Sequence, residues 1–234
     1  MNLVKGLQVA GLARYLITVR QTSRVSIERE TQESALVAFW HDAIPSLLAA
    51  ARGRQDVAIY IRAQPFIEDV LDLLADMGIP TFVSDHQGTA GLKAARRWLS
   101  TPGRLLGITA DVGAPRTALP GVGRLARMLG VPLCPLTVTA SHGYRMSDQY
   151  HKVVPHLGGE VTVRVLPRVS EPSFDATAAA LERALAKSTL SEPAPSPLVP
   201  WRRGFELWPR LCLAPRTRGK LKVWPATEAT ELIF

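Results

Sequence analysis

One stretch of the chain decides the fold class: residues 57–83, VAIYIRAQPFIEDVLDLLADMGIPTFV. It begins with β-branched and other apolar residues over 57–61, a composition typical of a buried strand. Apolar residues then recur on one helical face: Phe66, Val70, Leu73, Leu74 and Met77. Gly78 stands where a helix commonly ends, and residues 81–83 predict a second strand. This order of strand, helix and strand predicts a βαβ unit with parallel strands.

The same alternation continues outward in both directions. Further strands are predicted at 36–40, 105–109, 133–138 and 161–166, and further helices at 44–51, 90–99, 122–129 and 177–187. The chain is therefore predicted to be an α/β protein with a mostly parallel central sheet flanked by helices. In such sheets, binding and catalytic groups lie on loops at the carboxyl ends of the strands. The relevant loops follow residues 40, 61, 83 and 109.

The N-terminal segment is predicted to contain an amphipathic helix. Residues 1–20 carry apolar side chains at near-helical spacing, with Arg14 and Arg20 beside the apolar stripe. Such a helix either lies in the plane of a membrane surface, with its cations at the headgroups, or packs on the domain as its first helix. The sequence leaves both alternatives open.

Composition divides the chain into four segments. Residues 1–30 form the N-terminal helix region, and residues 31–187 form the α/β domain. Residues 188–200 contain four prolines and predict a linker, and residues 201–234 form a basic tail containing tryptophan. In the tail, tryptophans alternate with Lys and Arg, which suits lipid headgroups or a phosphate-rich surface. The alternative is a tail that wraps the domain and buries its tryptophans.

Charge and composition limit the classes of function. The chain has 234 residues, with 28 Lys and Arg against 20 Asp and Glu, so its formal net charge of +8 favours anionic partners. Its 47% hydrophobic and 21% charged residues exclude a wholly disordered or collagen-like chain. Two cysteines are too few for a disulfide scaffold. No stretch approaches the ~20 apolar residues of a membrane span, and no signal peptide is recognisable, so secretion is not expected.

Three polar loops fall at predicted strand ends on one edge of the sheet. They are residues 39–42 (FWHD), 84–91 (SDHQGTAG) and 109–117 (TADVGAPRT). Because the carboxyl ends of parallel strands share an edge, these loops are expected to converge. Their convergence is more informative than any one loop.

Each loop alone has two interpretations. His41 is either a structural hydrogen-bonding residue or a catalytic base. Residues 84–91 are either an ordinary turn or a phosphate cradle at a helix N-terminus. Asp111 and Arg116 form either a turn with a salt bridge or part of a site, and Arg62 is either an anion contact or a solvated cation.

The absence of several known motifs argues against several kinds of site. The chain has no Gly-Lys-Ser/Thr of a Walker loop and no Gly-x-Ser-x-Gly elbow. The histidines lack metal-ligand spacing, so no metal site is expected. Cys134 lies inside an apolar strand and is interpreted as an inert core thiol.

The order of these segments resembles the lysophospholipid acyltransferase-like superfamily. LVAFWHDAIPSLL (36–48) is similar to its block 1, and GITADVGAPRTALPGVGRLARMLGVPLCPLTVTASHGYRM (107–146) is similar to its blocks 3 and 4. The resemblance covers about residues 35–170. It looks most like a bacterial branch with a Trp-His strand end, a Gly-Ser-Ser turn, an Asp-Gly-Pro-Arg-Gly-Pro-Arg block and a Pro-x-x-Pro strand. The corresponding positions here are Trp40-His41, Gly88-Thr89, Asp111 to Arg116, and Pro132 to Pro135.

The resemblance implies a lysophospholipid acyltransferase-like fold and acyl transfer from a coenzyme A or acyl-carrier-protein thioester to a hydroxyl or amine of a lipid-like acceptor. It implies that His41 is the general base and that Asp111 orients it or structures the site. Such chemistry needs a base that works near neutral pH and donors for the charge that develops on the thioester carbonyl. The predicted substrate-binding residues are Asp85, Gly88, Thr89, Arg116, Arg62 and Trp40.

Two features depart from the family pattern. The pattern His-x4-Asp/Glu places an acid at position 46, where this chain has Ser46. Asp42 follows His41 directly and is expected to point elsewhere, because neighbouring side chains diverge. Either Asp111 or Asp85 orients His41, or the histidine works without an acid. The third block is also about one residue shorter than in the family.

The predicted partners follow from this chemistry. We expect no tightly bound cofactor, with acyl-CoA or an acylated acyl carrier protein as co-substrate and a lipid or small molecule as acceptor. An anionic membrane surface is an expected partner, whereas nucleic acid is not, because no nucleic-acid-binding signature is present. The expected location is the cytoplasm, peripheral to the inner face of the membrane. The alternatives are a natural-product acyltransferase with a small-molecule acceptor and a catalytically silent lipid- or membrane-binding protein on the same scaffold.

Overall fold

A computed structural model describes residues 3–29, 32–63, 67–84, 89–111, 114–145 and 152–186. The predicted linker at 188–200 and tail at 201–234 lie outside these residues, as do Asp85 and Gly88. The predicted site residues within the described ranges are Trp40, His41, Arg62, Thr89, Asp111 and Arg116.

The described residues form six helices and nine strands in alternating order. The helices are α1 (Leu3–Thr22), α2 (Ile44–Ala51), α3 (Ile67–Asp76), α4 (Ala90–Leu99), α5 (Pro120–Leu129) and α6 (Phe174–Ala186). The strands are β1 (Arg24–Arg29), β2 (Ala35–Phe39), β3 (Val57–Arg62), β4 (Thr81–Ser84), β5 (Leu105–Thr109), β6 (Leu133–Ala140), β7 (Gly143–Arg145), β8 (Val153–Pro155) and β9 (Glu160–Val165). A single 3₁₀ turn, His41–Ala43, joins β2 to α2.

Seven strands form one sheet in the order β1-β9-β6-β2-β5-β3-β4. The five strands from β6 to β4 run parallel to their neighbours, and β1 runs parallel to β9. Only the β6–β9 pair is antiparallel within this sheet. The prediction of an α/β fold with a mostly parallel central sheet flanked by helices is confirmed.

The central strand β2 shows why the sheet has two covered faces. All five of its residues are buried. Leu36 and Ala38 pack with residues of α4, α5 and α6, whereas Val37 and Phe39 join the opposite core cluster, which includes residues of α2. A strand buried on both faces reads as a continuous apolar run, which made β2 recognisable.

Helix α1 packs on the domain over its described side chains. Leu16 and Val19 are fully buried beside α2 and α3 residues such as Leu48 and Leu74. For residues 11–22, the structure therefore favours packing on the domain over an in-plane membrane helix. No helix among the described residues combines the length and the apolar character that crossing a membrane requires.

Three strands were not predicted from the sequence. β1 has the sequence RVSIER, whose charged residues obscure its pairing with β9 at the edge of the sheet. β7 and β8 have three residues each and pair only with one another. Such short or edge strands are stabilised mainly by tertiary pairing, so their local sequence carries little signal.

Candidate active site

The site begins where the adjacent parallel strands β2 and β5 end. Phe39 and Thr109 are register partners at their carboxyl ends. The Ala110 N–H continues the pairing by donating to the Phe39 carbonyl oxygen at 2.8 Å. His41 and Asp111 therefore leave the same edge of the sheet side by side.

The buried Asp111 carboxylate links His41 to the following turn. Its Oδ1 accepts hydrogen bonds from His41 Nδ1 at 3.0 Å and from the His41 backbone N–H at 2.9 Å. Its Oδ2 accepts one from the Arg116 backbone N–H at 3.0 Å. The Asp111 side chain is 2% exposed and the His41 side chain 18% exposed. The carboxylate is thus fixed on both oxygens, while the imidazole remains accessible.

These contacts set the charge state of Asp111. Burial by itself would raise the pKa of this carboxyl, but the hydrogen bonds from the His41 ring, the Arg116 backbone and the His41 backbone outweigh burial and lower the pKa below its usual value. An ionised carboxylate only accepts hydrogen bonds, so His41 Nδ1 carries a proton. In that tautomer, His41 Nε2 has the lone pair needed to accept a proton from a substrate.

The turn after β5 is held at both ends. Asp111 pairs with Ala118 in an isolated β-bridge, and the Leu119 N–H donates to the Ala110 carbonyl oxygen at 3.0 Å. From α6, Glu182 Oε1 accepts a hydrogen bond from the Ala118 N–H at 2.8 Å. A helix distant in sequence therefore supports the segment that carries Asp111.

Among the described residues, Arg116 is the one non-glycine residue with a positive φ, which is 55°. This left-handed conformation is unfavourable for a residue with a Cβ atom. The conformation turns the Arg116 backbone N–H toward Asp111. The cost of the conformation is thus offset by a hydrogen bond to a charged acceptor.

The guanidinium of Arg116 contacts Asp42 rather than Asp111. Arg116 Nη2 donates to Asp42 Oδ2 at 2.8 Å, and the exposed fractions of the two side chains are 46% and 6%. Asp42 thus points away from His41, as its adjacent position implies. The predicted salt-bridge alternative for Asp111 and Arg116 is wrong, because the contact between them comes from the Arg116 backbone.

Ser46 occupies the position where the family pattern has an acid. It lies in α2, is fully buried, and its hydroxyl donates to the Val153 carbonyl oxygen at 3.2 Å. Ser46 therefore supports the contact between α2 and β8. Asp111, in the turn after β5, supplies a carboxylate that contacts His41.

Two of the predicted substrate-binding residues lie at the same edge of the sheet without a described hydrogen bond to this cluster. Arg62 is exposed at the end of β3. Thr89 is exposed at the start of α4; its carbonyl oxygen accepts the Lys93 N–H at 2.8 Å, and its hydroxyl makes no capping bond.

Trp40 is buried beside the turn that carries Asp111. It belongs to the core cluster that contains Ala110 and Ala118. Its indole Nε1 is buried and has no hydrogen-bond partner among the described residues. A buried donor without a partner is uncommon and needs a physical explanation.

Sequence reasoning missed Asp42 and Glu182 as supports of the site. An acid within the mostly apolar segment FWHDAIPSLL was a usable signal, because a buried charge needs a partner. Glu182 carried no comparable signal, since its contact with Ala118 joins residues far apart in the chain.

A cavity in the described part of the protein lies away from the His41 site. A space of about 260 Å³ is lined by residues of α5, the start of β6 and residues 168–177, and none of the predicted site residues borders it. In the described ranges, no group of three or more His, Cys, Asp or Glu residues is arranged to hold a metal ion. The His41 site is therefore a cluster at the strand ends, separate from that cavity.

Comparisons with known proteins find a likeness among solved structures. No protein-family profile matches the chain, and no curated protein matches it. Among solved structures, the chain is similar to the crystal structure of the 1-acyl-sn-glycerophosphate (LPA) acyltransferase PlsC from Thermotoga maritima, with 12% sequence identity and a TM-score of 0.42. The match covers 76% of this chain and 79% of that chain.

Proposed function

We propose that this protein is an acyltransferase that moves a fatty acyl group from a coenzyme A or acyl-carrier-protein thioester to a hydroxyl or amine of a lipid-like acceptor. The observation that carries the proposal is the contact between His41 Nδ1 and the buried Asp111 carboxylate at 3.0 Å. This pair has the arrangement of a general base held in one tautomer by an ionised acid.

The proposed reaction uses His41 as a proton carrier. Nε2 takes the proton of the acceptor hydroxyl as its oxygen attacks the thioester carbonyl carbon. The new C–O bond forms, the C–S bond breaks, and the leaving thiolate receives the proton from the imidazolium. Asp111 stabilises the imidazolium between these two steps, because its carboxylate stays ionised and in contact with Nδ1.

The cations at the edge of the sheet are proposed to contact phosphate groups of the donor or acceptor. Arg116 and Arg62 are both exposed there, and a guanidinium binds phosphate through several N–H donors. Thr89, Asp85 and Gly88 are also proposed to contact the substrate, as the sequence predicts. Anionic lipid headgroups would be attracted by the same cations, which supports a peripheral location at the inner face of a membrane.

Trp40 is proposed to donate its indole N–H to the bound substrate. Among the described residues, its buried Nε1 has no hydrogen-bond partner, so a substrate oxygen would give this donor an acceptor.

The test is acyl transfer by purified protein, with His41→Ala beside the wild type. The substrates are mixed acyl-CoA and acyl-carrier-protein thioesters with a total lipid and polar extract, and mass spectrometry detects new acylated products. We expect the substitution to lower turnover by roughly 10²–10⁴-fold, the contribution of a general base. His142→Ala is the control, because His142 is exposed and its ring contacts Ser141.

Two outcomes would contradict the proposal. Retained turnover in His41→Ala would remove His41 as the base. No product from the wild type in any mixture would favour the catalytically silent alternative, for which binding to anionic liposomes is the next measurement. A product formed only from the polar extract would favour the small-molecule acceptor over the lipid.

A further inference from the structure

We propose that Asp42 is a positioning residue of this site, which acts through Arg116 to hold Asp111 against His41. The effect on turnover rests on the proposed function, whereas the effect on the geometry of the site does not.

The contacts form a closed ring of four residues. Asp42 follows His41 in the 3₁₀ turn after β2. The Asp42 carboxylate binds the Arg116 guanidinium at 2.8 Å. The Arg116 backbone N–H binds Asp111 Oδ2 at 3.0 Å. Asp111 Oδ1 closes the ring on His41 through the ring nitrogen and the backbone N–H. The ring ties the turn after β2 to the turn after β5.

Burial determines which of these contacts persist when a substrate binds. The Asp42 side chain is 6% exposed, so its charge depends on the Arg116 guanidinium for compensation. Moving Arg116 entirely onto a substrate phosphate would leave a buried carboxylate without its partner, which is strongly unfavourable. Arg116 therefore stays on Asp42 and offers its other N–H donors on its exposed side.

The backbone of Arg116 explains why an anchor is needed. Its φ of 55° is unfavourable for a side chain with a Cβ atom, so the surrounding contacts must hold it there. The backbone N–H to Asp111 and the side chain to Asp42 are its two described anchors. Removing the Asp42 charge releases the side chain, and the backbone N–H then loses its fixed direction toward Asp111.

The first test does not require activity. Nuclear magnetic resonance measures hydrogen exchange of the Arg116 amide and the tautomer of the His41 ring in the wild type and in Asp42→Asn. We expect exchange to accelerate by about 10-fold or more and the His41 ring to lose its single Nδ1–H tautomer. Unchanged exchange and an unchanged tautomer would overturn the proposal.

A matched control and a second variant separate positioning from general destabilisation. Asp56→Asn breaks another Asp–Arg ion pair, the one with Arg54, and is expected to leave the Arg116 amide and the His41 tautomer unchanged. Urea unfolding checks that each variant is folded. If Asp42→Asn does not fold, Arg116→Gln breaks the same ion pair from the other side and is expected to have the same effect.

The second test measures turnover by the acyl-transfer assay. Asp42→Asn is expected to lower kcat by roughly 10–100-fold, the loss typical when a residue that orients a metal ligand is removed, with KM for the thioester changed by less than about threefold. Arg116→Gly keeps the backbone N–H and suits a positive φ, so adding Asp42→Asn to it is expected to cost little more. The full effect of Asp42→Asn in the Arg116→Gly background would overturn the proposal. A wild type without acyl transfer would contradict the proposed function, and the exchange and tautomer results would still decide the role of Asp42.

Discussion

The substitution Asp111→Asn tests the centre of the site, because it keeps the shape of the side chain and removes its charge. In the wild type, one carboxylate oxygen accepts two N–H groups of His41 and the other accepts the Arg116 N–H. An asparagine that keeps the two His41 contacts on its oxygen turns its NH₂ group toward the Arg116 N–H. Two donors then face each other where a charge-assisted hydrogen bond had been.

The size of the effect follows from that exchange. Losing a hydrogen bond to a charged acceptor costs about 1.5–3 kcal/mol, and little water reaches a side chain that is 2% exposed. We therefore expect the free energy of unfolding at pH 7 to fall by about 1.5–3 kcal/mol. Turnover is expected to fall by roughly 10²–10⁴-fold, because a neutral amide neither selects the Nδ1–H tautomer of His41 nor stabilises the imidazolium.

The same hydrogen bonds make the stability of the protein depend on pH. The pKa of Asp111 is lowered in the folded protein, so its contribution to stability is fully present above the unfolded value of about 3.9. The contribution is lost as the pH falls from that value through the lower folded pKa. The stability difference between the wild type and Asp111→Asn is therefore expected to narrow below about pH 4.

Urea unfolding followed by tryptophan fluorescence measures the free energies between pH 3 and pH 7, and mass spectrometry measures acyl transfer. Because other carboxylates also titrate in this range, the difference between the two proteins is the quantity to follow. A difference below about 0.5 kcal/mol at pH 7, or one that stays constant down to pH 3, would refute the role given to the three hydrogen bonds.

Three further predictions concern the surroundings of the site and the core. Trp40→Phe removes an indole N–H that has no partner among the described residues, so we expect the unfolding free energy to change by less than about 1.5 kcal/mol while kcat/KM falls roughly 2–10-fold. An unchanged kcat/KM would contradict a contact with substrate. Gly91→Ala places a Cβ atom 2.0 Å from a backbone carbonyl oxygen of β4, so we expect the free energy of unfolding in urea to fall by about 1–3 kcal/mol. The control is Gly121→Ala, whose Cβ atom meets nothing within 4 Å. Equal losses of stability in the two variants would contradict the close approach of α4 to β4. Burial and the nearby Glu33 raise the pKa of the Cys134 thiol, so we expect this thiol to react slowly in the folded protein. In a Cys212→Ser background, a disulfide reagent at pH 8 is expected to modify the native protein at least ~100-fold more slowly than the unfolded protein. Similar rates would contradict an inert core thiol.

Local sequence was sufficient where an element buries a regular apolar pattern. Helix α4 and strand β5 were predicted with the bounds that the structure shows, Ala90–Leu99 and Leu105–Thr109. Both elements combine regularly spaced core residues with polar or glycine-containing flanks. The parallel order of the central strands followed, because helices of this length between strands require crossover connections.

Local sequence was insufficient where pairing across the chain decides the structure. β1 is a strand because its backbone pairs with β9, and only the pairing itself shows that β9 runs antiparallel to β6. The glycine at 91 was predicted as part of a possible phosphate cradle, whereas its described environment shows that a Cβ atom would collide with β4. The local sequence carries no pattern that predicts either these strand pairings or the close approach at Gly91.

The candidate site, like the fold, was predictable from the sequence only in part. The sequence by itself placed His41, Asp111 and Arg116 at the carboxyl edge of a parallel sheet, because strand periodicity determines where each strand ends. It left open whether Asp111, Asp85 or no acid contacts His41. Only the tertiary structure decided that Asp111 binds the ring and that Asp42 binds Arg116, because those contacts depend on the register of β2 against β5 and on a positive φ within the following turn.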